Sequence, residues 1–156
     1  MVDAIRREES SYRGALVTGD SVEQVVATAT PAAIQWEVEV YDTDGIFLST
    51  ANTKVVVPSG VTQVRLTGNS ICFGPVAPAG TRQMWLNKNG VRVVGGFYQQ
   101  QGPEVVVGDE TALNGSSAVL TVVGGDYFEL IVQHTHGSNI NYGGTSDSWF
   151  AMEIVK

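Results

Sequence analysis

Two histidines separated by one residue, His134 and His136, have the spacing in this sequence best suited to chemistry. Strand side chains alternate between faces, so an H-x-H pair on a strand presents both imidazoles on one side, as a metal site needs. The same geometry suits a pH-sensitive cluster. The alternative is a pair that ends a strand beside a loop, since no cysteine or carboxylate adjoins it. We expect no cofactor and no metal, with His134 and His136 as the candidate ligands should a metal bind.

A catalytic constellation is not visible elsewhere. The single cysteine, Cys72, lies in the apolar run Ile71-Cys72-Phe73 and is interpreted as a small buried side chain rather than a nucleophile. The glycine pairs Gly95-Gly96 and Gly143-Gly144 do not open helices, so they do not form phosphate-binding loops. The sequence therefore predicts a protein that is not an enzyme.

Aromatic side chains offer a second kind of site. Tyr98, Tyr142 and Trp149 are candidates for stacking against a sugar ring. The alternative is that all three are ordinary β-sheet residues, because aromatic side chains are common in strands. Both interpretations stay open at the level of sequence.

Composition limits the partners. The 156-residue chain has a net charge of −7, which argues against binding to nucleic acid or to an anionic membrane surface. No secretory signal or membrane-spanning stretch is visible, so we expect synthesis in the cytoplasm without export by the usual route. Charged residues make up only 16% of the chain, against roughly 25% in an average domain. Low charge favours a surface that other subunits cover.

The elements that would position these residues are strands. The segment 33–41 alternates apolar and polar side chains, as a half-buried strand does. Asn89-Gly90 predicts a tight hairpin, and Gly124-Gly125-Asp126 predicts another between two apolar runs. About ten short strands with turns at regular spacing predict an all-β sandwich or jelly roll of antiparallel strands.

The residues before the first strand differ in composition, so we divide the chain into an N-terminal arm, 1–13, and one domain, 14–156. The arm mixes both charge signs and is either disordered or ordered by a partner. Its candidate partner-binding residues are Val2, Ile5, Arg6, Arg7 and Tyr12.

Several strands are apolar on both faces, which a lone two-layer sandwich leaves partly exposed. Burial between copies of the chain would cover them. The candidate residues for a trimer interface are Tyr127, Ile131, Trp149 and Val155.

The turn Asp42-Thr43-Asp44-Gly45 has the D-x-D-G spelling of a calcium loop, but the later acidic ligand is absent. We therefore interpret it as an Asx-type turn, in which an Asp side chain binds the backbone two residues on.

Five blocks together resemble the C1q/TNF-like jelly-roll superfamily over about residues 36–155. They are Tyr41-Asp42-Thr43-Asp44-Gly45-Ile46-Phe47, Val57-Pro58-Ser59-Gly60-Val61, Leu86-Asn87-Lys88-Asn89-Gly90-Val91, the segment from Leu120 to Leu130, and Trp149-Phe150-Ala151-Met152. The resemblance implies a jelly roll that assembles as a compact homotrimer, with one sheet of each protomer facing the threefold axis.

Free-standing trimers of this kind resemble bacteriophage virion proteins. We therefore expect a capsid decoration or cement protein on the virion surface, with the major capsid protein as partner and no nucleic-acid or membrane partner. The alternative is the receptor-binding tip of a phage tail or head fibre, with a host surface glycan as partner.

Overall fold

A computed structural model describes residues 12–73, 80–102 and 110–156. Within these ranges the chain forms fourteen strands and one short 3-10 helix, Ser49–Ala51. None of the helical structure in these ranges is long and apolar enough to cross a bilayer. The predicted all-β architecture is confirmed, with more and shorter strands than expected.

The strands form two antiparallel sheets that pack face to face. Sheet A contains, in order of pairing, β2 (Glu23–Val26), β13 (Ile140–Gly143), β6 (Gln63–Phe73), β14 (Trp149–Ile154), β1 (Gly14–Thr18) and β4 (Val38–Asp42), with β10 (Glu110–Ser116) and β11 (Leu120–Thr121) also on β6. Sheet B contains β3 (Ala32–Ala33), β12 (Tyr127–His134), β7 (Arg82–Lys88) and β8 (Val91–Arg92), with β5 (Val55–Val56) on β12 and β9 (Tyr98–Gln101) on β7.

The core lies between the sheets and takes alternate residues from each strand. From sheet B, β12 contributes Phe128, Leu130 and Val132, all fully buried. From sheet A, β14 contributes Phe150 and Met152, also fully buried. The alternation predicted for both strands is confirmed, and it leaves the other half of each strand on an outer face of the sandwich.

The predicted strand 33–41 is divided between the two sheets. Ile34 and Trp36 are buried in the core, as the alternation indicates, but the chain then leaves sheet B for sheet A. A register shift between Leu16 and Val17 accompanies the new pairing of β4 with β1. As a result Val40 is exposed, and the expectation of one continuous half-buried strand is wrong.

The Gly124–Asp126 turn does not close a hairpin, which corrects the sequence prediction. β11 pairs with β6 in sheet A, whereas β12 belongs to sheet B, so this turn carries the chain from one sheet to the other. The Gly125 N–H donates to the Val57 carbonyl at 2.9 Å. Periodicity predicts two strands with a turn between them, but it does not predict that they pair with different partners.

The two other predicted turns are confirmed. Asn89 and Gly90 both have positive φ, 52° and 80°, as a two-residue hairpin between β7 and β8 requires. In the Asp42 turn, the carboxylate accepts hydrogen bonds from the N–H groups of Asp44 at 3.0 Å and Phe47 at 2.8 Å. This is the Asx-type turn expected from the sequence.

Some predicted features lie outside the described residues. They are Val2, Ile5, Arg6 and Arg7 of the arm. At the described end of the arm, Arg13 pairs with Asp44, and β1 begins at Gly14.

Candidate functional site

The outer face of sheet A carries an apolar patch, which we call the sheet A face. β14 turns Trp149 and Ala151 outward because their neighbours in the strand fill the core. The pairing register places Leu16 opposite Ala151 on one side and Tyr41 on the other. Residues from three neighbouring strands therefore form one continuous surface.

Two further aromatic and apolar contacts extend the sheet A face. Tyr12 packs edge-on against Tyr41, with ring centroids 5.6 Å apart, and the two hydroxyls are hydrogen-bonded at 2.9 Å. Val38 pairs with Thr18 beside Trp149. A depression of about 270 Å³ lies between Leu16 and Trp149. The sheet A face is thus apolar, slightly hollow and formed by residues far apart in sequence.

The outer face of sheet B carries a larger hollow, which we call the sheet B cleft. Its volume is about 650 Å³, within the range of small-molecule binding sites. The cleft is lined by Pro31, Gln83, Trp85, Asn87, Gly90, Val91, Arg92, Tyr98, Ile131 and Gln133. It lies on the layer opposite the sheet A face, so the two surfaces point away from each other.

A polar corner fastens the β7–β8 hairpin to the start of β12. The Asn89 amide donates to the Asp126 carboxylate at 2.7 Å and accepts from the Tyr127 N–H at 2.9 Å. Lys88 Nζ lies 2.8 Å from the same carboxylate, which also accepts from the Val123 N–H. Two of the sequence blocks that carry the family resemblance, around Asn89 and around Asp126, therefore form one structural unit.

Electrostatics at this corner favour the ionised carboxylate. Burial opposes ionisation of Asp126, but its bonds to Lys88, Val123 and Asn89 outweigh that cost and lower its pKa from 3.8 to about 2. The corner is structural, because the bonds from Asp126 to Lys88 and Asn89 join the β7–β8 hairpin to the start of β12, and the bond from Val123 closes the turn that precedes it.

The two histidines are close together, with ring centroids 6.5 Å apart. His134 is fully buried, and its Nε2 donates to the Val26 carbonyl at 2.8 Å. Burial lowers the pKa of His134 below 6.5, and the nearby His136 and Arg82 lower it further, against the opposing effect of the Val26 bond. His136 Nδ1 accepts from the Ser138 N–H at 3.1 Å. In the described ranges no group of three or more His, Cys, Asp or Glu side chains has an arrangement that could hold a metal ion.

Cys72 is fully buried, and its thiol lies 3.4 Å from the Thr111 carbonyl. The predicted role of Cys72 as a small core side chain is confirmed.

The three candidates for sugar stacking fall in three places. Tyr98 lines the sheet B cleft. Tyr142 is fully buried beside His134, with ring centroids 6.3 Å apart, and its burial raises its pKa. A ligand cannot reach Tyr142, so that candidate was wrong. Trp149 lies on the sheet A face.

The predicted trimer-interface residues do not share one surface. Trp149 lies on the outer face of sheet A, whereas Tyr127 and Ile131 lie on the outer face of sheet B. Ile131 is only 6% exposed within a single chain, so a monomer already buries it. Val155 follows the end of β14 and is exposed. Only Trp149 adjoins Leu16, Ala151 and Tyr41.

Sequence reasoning missed Trp85, Gln83 and Arg92 of the cleft. A signal was available, because the Asn89-Gly90 hairpin sets the register of β7 against the strand that follows it. Residues Gln83, Trp85 and Asn87 are spaced by two and must therefore share a face. The partners on β9 and β12 could not be assigned, because no short turn links either strand to β7.

Comparisons with known proteins support the fold. No family model matches the chain, and no curated protein matches it. Among solved structures, that of Eiger TNF from S. frugiperda is similar over 93% of this chain and 93% of that chain, with a TM-score of 0.57 and 16% sequence identity. The predicted C1q/TNF-like jelly-roll fold is confirmed. At this identity the likeness shows the fold alone.

Proposed function

We propose that this chain is a non-enzymatic structural protein that works as a homotrimer and decorates a virus capsid as a cement protein. The observation that carries the proposal is the sheet A face. In one chain Trp149, Leu16 and Tyr41 form an outward apolar surface with no layer over it among the described residues. Such a surface is typical of an interface with another protein.

A second copy of the chain is the simplest cover for this surface. Closed symmetric oligomers use one patch repeatedly, so a single apolar face serves every subunit. The resemblance to the C1q/TNF-like superfamily implies three copies, with one sheet of each protomer towards the axis. Sheet A has the apolar outer surface that this arrangement needs, whereas the outer surface of sheet B is a larger hollow lined by both polar and apolar side chains.

Threefold symmetry also suits a capsid partner. A trimer on a threefold position of an icosahedral lattice makes the same contact three times, so weak contacts act together. The N-terminal arm, 1–13, is the segment proposed to reach the major capsid protein. The role would be mechanical: the trimer bridges neighbouring capsomers and holds the shell against internal pressure.

Oligomeric state is the first test. Light scattering after size-exclusion chromatography at micromolar concentration is expected to give the mass of three chains. Trp149→Glu is expected to give the mass of one chain, because it places a charge in the buried face. Val94→Glu is the matched control, since Val94 is 95% exposed and lies on neither face. A wild-type monomer would contradict the trimer.

Capsid binding is the second test. Purified protein added to expanded empty heads of the parent virus is expected to bind and to raise their resistance to heat. A variant lacking residues 1–11 should remain a trimer but fail to bind. Normal decoration by this variant would show that the arm is not the fastening element, and no binding by the full chain would contradict the capsid role while leaving the trimer intact.

The receptor-binding tip of a phage fibre is the second candidate, and the sheet B cleft is the observation that favours it. A fibre tip presents its binding sites away from the symmetry axis, as the layer opposite the sheet A face would do. Adhesion to host cells that free polysaccharide inhibits would distinguish this role from capsid binding.

A further inference from the structure

The register of sheet B places three rows of side chains across the sheet B cleft. The middle row is apolar and aromatic: Trp85 of β7 is paired with Ile131 of β12 on one side and with Tyr98 of β9 on the other. The flanking rows are polar, and they are Glu129–Asn87–Arg92 and Gln133–Gln83–Gln100. An aromatic strip between two polar strips is thus built into the strand pairing.

The aromatic side chains are held in place before any ligand arrives. Trp85 Nε1 donates to Asn87 Oδ1 at 3.0 Å, and the Tyr98 hydroxyl donates to Gln100 Oε1 at 2.6 Å. The guanidinium of Arg92 lies over the Tyr98 ring, 4.2 Å from its centroid. Fixed side chains lose little freedom on binding, which favours affinity.

The middle row suits the apolar face of a pyranose ring. The face of an indole carries partial negative charge, and the axial C–H groups of a sugar carry partial positive charge, so the two surfaces attract each other as they exclude water. Trp85 offers this platform, and Ile131 beside it is only 6% exposed, so it adds little surface of its own. The cleft volume of about 650 Å³ accommodates a small saccharide unit.

The flanking amides suit the hydroxyl groups of the same ring. A hydroxyl both donates and accepts, and a glutamine or asparagine side chain offers two N–H donors and a carbonyl acceptor. Gln83 and Gln133 lie along one side of Trp85, and Asn87 lies along the other. The Gln83 amide is oriented by its bond to Gln100 at 3.2 Å, and the Gln133 amide by its bond to the Ala29 carbonyl at 2.9 Å.

Charge separates a saccharide from the other possible ligands. Arg92 is the charged side chain of the lining, and it is already engaged with Tyr98. Phosphate-rich ligands need several cations, and the chain has a net charge of −7. A protein partner needs a wide apolar core to desolvate its anchors, whereas the apolar strip here is a single row of three side chains. A ligand with hydroxyls around an apolar ring face fits the whole surface.

We propose that the sheet B cleft binds an uncharged pyranose unit of a polysaccharide or glycan, with the ring stacked on Trp85 and its hydroxyls bound by Gln83, Gln133 and Asn87. The inference does not rest on the proposed function, because a capsid protein and a fibre tip can both carry such a site. It also does not depend on the trimer, since every residue in it belongs to one chain.

The test is affinity electrophoresis in gels containing one neutral polysaccharide each: dextran, laminarin, yeast mannan, arabinogalactan and xylan. At least one of them should retard the native protein. Trp85→Ala should weaken that binding by at least about tenfold, and Gln83→Ala should weaken it by a smaller factor. Tyr127→Ala is the matched control, because it removes an aromatic ring on the same outer face of sheet B but outside the lining of the cleft.

Near-ultraviolet circular dichroism of each variant shows whether its fold is intact, and Gln83→Ala keeps the test valid if Trp85→Ala does not fold. The proposal is overturned if none of the five polysaccharides retards the protein. It is also overturned if folded Trp85→Ala and Gln83→Ala bind like the native chain, or if only acidic polysaccharides bind and added salt abolishes the binding. The proposal would also be overturned if a protein bound at Trp85 and saccharides did not displace it.

Discussion

The carboxylate of Asp126 lies at the centre of the polar corner. It binds Lys88, Asn89 and the Val123 N–H, so Asp126→Asn removes one ion pair and leaves a mismatched amide. We expect a loss of about 1 to 3 kcal/mol in the free energy of unfolding, measured by urea denaturation near neutral pH. Asp147→Asn, at an exposed carboxyl, should change it by less than about 0.5 kcal/mol.

The pH dependence of this difference is a separate prediction. The pKa of Asp126 is about 2 in the folded chain, below the ordinary 3.8. Its contribution is therefore present above pH 3.8 and is lost as the pH falls towards 2. The difference in the free energy of unfolding between the native protein and Asp126→Asn should therefore become smaller as the pH falls from 3.8 to about 2. The same difference at both pH values would contradict the role given to the carboxylate.

His134 becomes positively charged when it binds a proton, whereas Asp126 becomes neutral. Both groups nevertheless lower the free energy of unfolding as the pH falls. The folded pKa of His134 lies below 6.5 because the neutral ring is buried near His136 and Arg82. As the pH falls below 6.5 the unfolded chain binds the proton first, so the free energy of unfolding falls. His134→Gln should show a weaker pH dependence between about pH 8 and about pH 5 in urea denaturation. If the free energy of unfolding of His134→Gln depends on pH as steeply as that of the native protein, other groups cause the pH dependence.

At the scale of the elements, glycines show how far the sequence predicts the fold. Gly68-Asn69 in the sequence indicates a break, but β6 runs unbroken from Gln63 to Phe73. A Cβ on Gly68 would lie 3.2 Å from Leu130 and 3.3 Å from Phe150, so this glycine permits close packing between sheets. Local pattern predicts strands and turns well, whereas the need for a small residue arises from the opposite sheet and has no local signal.

Gly115 provides the corresponding test. It pairs with Gly68, and a Cβ there would lie 2.4 Å from a ring atom of Phe97. Gly115→Ala should therefore lower the free energy of unfolding by about 1 to 3 kcal/mol through overpacking. Adding Phe97→Ala should restore part of that loss, because the clash is with that ring. Gly137→Ala is the control, since no described atom lies within 4 Å of its Cβ position.

At the scale of the whole molecule, the sequence predicted the architecture but not which residues share a surface. Trp149 and Ile131 are both strand residues with an outward position, yet they lie on opposite layers. Their separation follows from two crossings of the chain between the sheets, one at Gly124–Asp126 before β12 and one at residues 135–139 after it. A pattern that alternates along one strand cannot report which sheet the strand joins, so the sheet B cleft could not be assembled from sequence.

The two surfaces lead to one prediction for the assembled protein. If the sheet A face holds three chains together, three sheet B clefts point outward from one particle. Leu16→Glu should then give a monomer that binds a soluble oligosaccharide as tightly as the native protein, because its cleft is intact. Its retention on an immobilised polysaccharide should fall by about a hundredfold or more, since linked sites rebind before the particle dissociates. Trp85→Ala should keep the mass of the trimer but bind both the soluble oligosaccharide and the immobilised polysaccharide more weakly.

Surface plasmon resonance with immobilised and soluble forms of one polysaccharide measures the retention and the affinity. Equal retention of the native protein and Leu16→Glu would show that the clefts do not act together.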